Sequence, residues 1–97
     1  MKKREPKEEC IKDVTCTDGG IVYRYMMFER KSLKVASYRI PLYTIKVIMQ
    51  TPEKTTESSV ADAFSDIGKA TVFFNKLVEN LATPIDLEYT YEDKIWI

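Results

Sequence analysis

Histidine does not occur in this 97-residue chain. Its absence removes the commonest general base and the commonest metal ligand. His-dependent triads, H-E-x-x-H zinc hydrolysis and histidine phosphotransfer are therefore excluded as work for this chain alone. Glycine stands only at positions 19, 20 and 68, too few for a phosphate-cradling loop. The sequence has no G-x-S-x-G element and no cysteine beside a base. Net charge is lacking too: 15 basic residues balance 15 acidic ones. The molecule as a whole thus has no bulk attraction to DNA, RNA or an anionic membrane. No stretch approaches the roughly 18–20 apolar residues of a membrane span. The opening MKKREPKEE continues with charges where a secretory signal would place an apolar run of about 7–15 residues. The expectation is a cytoplasmic chain with no cofactor and no membrane partner.

Cysteine is scarce as well. Cys10 and Cys16 lie in one extended-looking segment, which spaces them on the order of 20 Å apart. A disulfide needs Cα atoms within about 7 Å, so reduced thiols are expected. The two share parity in a strand and would face the same side, as small core or edge residues. C-x5-C without a further Cys or His cannot complete a zinc shell.

What is present suffices for a core: 44% of residues are hydrophobic and 11% aromatic. Residues 1–8 read as a solvated arm of mixed charge, and 9–97 as a single domain. Residues 9–17 alternate like a strand. Asp18-Gly19-Gly20 then signals a hairpin, since glycine tolerates positive φ. Residues 21–30, IVYRYMMFER, are β-branched and aromatic and supply the second strand. A long strand is predicted over 35–50, with a change of phase at Pro41 that a bulge would absorb. Residues 51–57 read as a polar loop and 58–64 as a weak fourth strand.

Residues 66–82 are predicted helical. Ala70, Phe73, Phe74, Leu77, Val78 and Leu81 form one apolar stripe. Ser65 or Asp66 can cap its start, and Thr83-Pro84 should end it. The segment 84–94 fits two readings. Leu87, Tyr89 and Tyr91 alternate as in a strand, whereas Thr83 and Pro84 could cap and open a helix. The fold class that follows is α+β: a four-stranded antiparallel β-meander with one long helix, and a short C-terminal one if the second reading holds, packed on one face.

The hairpin YRYMMFE at 23–29, SYRI at 37–40, FSDIGKA leading into the helix and TPIDLEY after it together resemble a small uncharacterised family of clostridia and related Firmicutes. That family carries a domain-of-unknown-function label. The resemblance covers residues 21–95. Arg39 stands where the family tends to have glycine, and Tyr89-Thr90-Tyr91 is less helical than is usual there. The resemblance implies a helix over 84–94. It implies no activity, ligand or catalytic residue.

Charge is unevenly placed along the chain. Residues 1–50 hold 11 basic and 6 acidic side chains, and residues 51–97 hold 4 and 9. Mutual attraction of the two halves within one packed body is the plainest reading, with self-association the next. A third reading is a basic patch of Arg24, Arg30, Lys31, Lys34 and Arg39 facing an acidic partner. In that reading Tyr23 and Tyr25 would stack bases of a single-stranded nucleic acid. Stacking requires the tyrosine face to be open. Strand 21–30 is apolar on both faces, yet two helices can cover only one face of a small sheet. Apolar patches beyond a few hundred Å² rarely stay exposed on a monomer. The expected function is therefore a non-catalytic protein-interaction module, a homo-oligomer through the open face, with Tyr23, Tyr25, Met27 and Phe28 as candidate interface residues. Weak nucleic-acid binding through Tyr23, Arg24 and Tyr25 is the alternative. Catalysis is not expected. Asp62 and Asp66 read as turn and cap residues, and Glu88, Glu92 and Asp93 as a solvated helix face.

Overall fold

In the computed structural model, which describes residues 8–31 and 40–95, the first chain reversal is set by two glycines. Gly19 and Gly20 take φ of 59° and 82°, the pair of positive values that a two-residue type I′ hairpin turn demands. They join β1 (Glu9–Asp18) to β2 (Ile21–Lys31). β3 (Pro41–Gln50) pairs antiparallel with β2, setting Tyr25 opposite Val47 and Met27 opposite Ile45. A tight turn follows, in which the Thr51 hydroxyl oxygen accepts from the backbone N–H groups of Glu53 and Lys54. β4 (Thr55–Phe64) then returns along β3, giving the sheet order β1-β2-β3-β4. The predicted phase change at Pro41 rests on Ala36 and Tyr38, which lie outside the described residues, and on Ile40, which is exposed and not in a strand. β4 starts three residues earlier than position 58 and takes in part of the expected loop. Its Thr and Ser side chains suit a pleated strand, and Thr56, Ser58 and Val60 alternate inward.

Two bulges adjust the edge strands. In β1 the register shifts between Cys10 and Lys12, leaving Ile11 extra. In β4 the shift lies between the partners of Tyr43 and Ile45, where three residues face one. Asp62 sits there with φ of 52°. Its amide donates to the Thr44 hydroxyl at 3.1 Å and its carboxylate takes the Arg30 guanidinium at 2.6 Å. The first bulge corrects the expected cysteine parity. Cys16 lies opposite Tyr23 and Cys10 opposite Phe28, so the two thiols, both free, face opposite sides of the sheet.

α1 (Ile67–Glu79) begins where Asp66 accepts from the backbone N–H groups of Gly68 and Lys69 at 2.7 and 3.2 Å. This cap satisfies two otherwise orphaned donors. Asp66→Ala is expected to cost about 1 kcal/mol, read as a lower urea midpoint with an unchanged slope. The helix ends earlier than residue 82. Leu81 adopts φ of 49°, and the N–H groups of Leu81 and Ala82 turn back to the carbonyls of Val78 and Leu77. That is a Schellman closure with leucine where glycine is usual.

The second reading of residues 84–94 is the correct one. α2 (Pro84–Ile95) has Pro84 in its first turn. The Thr83 hydroxyl accepts from the Asp86 N–H, and the Asp86 carboxylate accepts from the Thr83 N–H. This reciprocal pair is a capping box with aspartate as its acid.

Both helices pack on one face of the sheet, as expected. The core beneath them holds Tyr23, Tyr25 and Met27 from β2, Tyr43, Ile45 and Val47 from β3, Phe64 from β4, and Ala70, Phe73, Phe74, Leu77, Ala82 and Leu87 from the helical layer. Phe64, Phe73 and Tyr91 close one end as an aromatic trio with centroids 5.3–6.0 Å apart, a geometry that adds to burial itself.

Candidate interaction surface

The pleat decides which residues remain available for contact. On β2 the odd positions point beneath the helices and the even ones point away. Tyr23 is buried and Tyr25 and Met27 are wholly so. Of the four candidate interface residues, three therefore belong to the core, and Phe28 alone stands on the uncovered face. The reason lies in the neighbouring strand. β3 carries Tyr43, Ile45, Val47 and Met49 on one side, against Leu42, Thr44, Lys46, Ile48 and Gln50 on the other. The antiparallel register pairs odd with odd, so the uniformly apolar side takes the helices.

Tyr25 shows what that burial does chemically. Its hydroxyl donates to the Ala82 carbonyl at 2.9 Å. Burial, above all, pushes its ionisation up to about 12. The unfolded chain releases this proton near the ordinary value of 10.0, while the folded chain holds it to about 12. The stabilisation is therefore complete below pH 10 and lost as pH climbs through 12. Urea midpoints measured from pH 9 to 12 should fall across that window. In Tyr25→Phe this part of the fall should vanish, while stability at neutral pH drops by about 1–3 kcal/mol for the orphaned carbonyl. Burial likewise raises the ionisation of Tyr43, whose hydroxyl donates to Glu29 at 2.9 Å.

The uncovered face mixes two chemistries. Val22, Met26 and Phe28 of β2 and Leu42 and Ile48 of β3 form an apolar band at its centre, each partly shielded by neighbours. Ion pairs cross it: Arg24 with Asp13 at 2.6 Å, Arg30 with Asp62 at 2.6 Å, and Lys46 with Glu57 at 3.2 Å. Both guanidinium nitrogens of Arg24 involved meet both Asp13 oxygens, a planar fork-on-fork match. That hydrogen bonding lowers the Asp13 ionisation and raises that of Arg24. Two of the three pairs join the basic first half of the chain to its acidic second half.

Three residues of the expected basic patch are described. Arg24 and Arg30 are committed to carboxylates, Lys31 is exposed at the end of β2, and Lys34 and Arg39 lie outside the described residues. Tyr23 and Tyr25 present no ring face to a base. Asp66 caps α1 and Asp62 pairs with Arg30, so the two carboxylates do not converge on one site. Sequence reasoning missed Leu42 and Ile48, whose spacing across Thr44 and Lys46 gives no clean alternation. Among the described residues, no helix is long and apolar enough to cross a membrane. Comparison with protein-family models, with curated proteins and with solved structures returns no match.

Proposed function

We propose that this chain is a non-catalytic interaction module that pairs with a second copy of itself through the uncovered sheet face. One observation carries the reading: Val22, Met26, Phe28, Leu42 and Ile48 share that face while both helices lie on the other. The charges around the band favour a like partner over a polyanion. Among the described residues three cations and three carboxylates meet there as ion pairs, a balance of charge that can complement itself about a two-fold axis. Two such sheets would stack about 10 Å apart with strands within about 30° of one another. Four strands of this length span roughly 600 Å², below the about 800 Å² per partner of a standard interface. A contact confined to this footprint belongs with the small, concentration-dependent interfaces.

Multi-angle light scattering from low to high micromolar protein tests this. The average mass should climb towards twice 11.3 kDa. A mass fixed at one protomer across the series would remove the reading. A fixed mass near two protomers would keep the pairing and replace the weak dimer by a tight one.

A further inference from the structure

β4 is the outer strand of the sheet: β3 occupies one of its edges, and among the described residues no strand pairs with the other. An open edge presents backbone donors and acceptors to any extended segment that lies beside it. Next to this edge runs a groove of about 450 Å³ between the first half of β4 and α2. Two features of its helical wall are unusual for a solvated surface. Ile85 and Tyr89, one turn apart, are 67% and 64% exposed. Glu88 and Glu92, also one turn apart, line the same groove. Like charges at this spacing repel, and among the described residues the ion pairs engage neither of them. Glu88 instead accepts a long 3.3 Å hydrogen bond from the Ser58 hydroxyl across the groove. Glu57, between Thr56 and Ser58 in β4, turns its carboxylate to Lys46 on the opposite face of the sheet.

We infer that this groove receives an extended peptide segment of another protein, carrying lysine or arginine two residues from an apolar side chain. The segment adds to β4 as a fifth strand. Main-chain hydrogen bonds to the free edge hold it, and alternate side chains choose it. Side chains turned towards α2 are two residues apart in sequence. One apolar residue then covers Ile85 and Tyr89, and the cation two places along meets Glu88 and Glu92. The groove lies on the helix side of the sheet, so it stays accessible whether or not two copies pair through the opposite face.

An acetylated and amidated peptide, Lys-Thr-Val-Thr-Lys-Thr-Val, is the probe, titrated into isotope-labelled protein. Amide shifts should concentrate at Thr55–Ser59 and at Ile85–Glu92. Replacing its two lysines by glutamate should abolish them. Exchanging both Glu88→Lys and Glu92→Lys, or truncating Tyr89→Ala, should each weaken binding at least tenfold. These side chains are exposed, so the variants should keep the wild-type circular dichroism. Equal shifts from the glutamate peptide, or shifts that spare β4, would overturn the inference. So would a Tyr89→Ala variant that binds unchanged, since bare charge attraction would then explain the titration. If the peptide of residues 1–9 bound as tightly as the probe, the occupant would be the arm of a second copy rather than another protein. Binding undiminished in the Phe28→Glu variant keeps this test separate from the pairing of sheet faces.

Discussion

Tyr25→Glu should leave no folded domain. The side chain is fully buried at the centre of β2, beneath the turn that joins the helices, and its hydroxyl is already bound to the Ala82 carbonyl. A carboxylate there loses its water and meets no cation to replace it. The penalty for such a charge is several kcal/mol, on top of the aromatic contacts removed. A domain of this size has only about 5–15 kcal/mol to lose. At neutral pH and 25 °C the variant should show no near-ultraviolet circular dichroism and no cooperative urea transition. A sharp transition of normal slope would mean that the tyrosine face is not the one the helices cover.

Phe28→Glu, three residues along the same strand, should behave in the opposite way. Phe28 lies on the uncovered face, opposite Cys10 on one side and Thr44 on the other. Its ring is only partly shielded, so the new carboxylate keeps much of its water. The monomer should stay folded, with the wild-type urea slope and a stability loss of about 1–2 kcal/mol. Pairing should suffer far more. In a two-fold interface each substitution appears twice, so two glutamates would lose water in a drying layer. The dissociation constant should rise by at least a hundredfold, seen as a single-protomer mass throughout the light-scattering series. Retained dimerisation would exclude this face as the contact.

The opposite fates of two residues in one strand show what the sequence could and could not convey. Strand β2 was evident from IVYRYMMFER, and its hairpin from Gly19 and Gly20, because a turn residue and a β-branched run act locally. Asp66 and the Thr83–Pro84 pair were legible for the same reason, as caps need only the backbone beside them. Which face of β2 the helices cover was not local information. It depended on aligning β2 with β3, where Tyr43, Ile45 and Val47 are apolar without interruption and Leu42 and Ile48 are not.

The bulge at Ile11 was invisible because its neighbours Cys10 and Lys12 fit either phase, and the inferred cysteine parity failed with it. The end of α1 was misplaced for want of a glycine. Leucine at position 81 takes the left-handed turn instead, at a conformational cost that its packing against the core offsets. The groove beside α2 went unseen because Ile85 and Tyr89 look like ordinary members of an amphipathic pattern until the helix is rotated into place.

The short turn between the two helices has one more implication. Leu81 reverses the chain and Ala82 is fastened to Tyr25, so the place where a hinge would sit is tied to the middle of the sheet. Opening this turn breaks the Tyr25–Ala82 hydrogen bond, so the amides on either side of it, at the end of α1 and the start of α2, should exchange together.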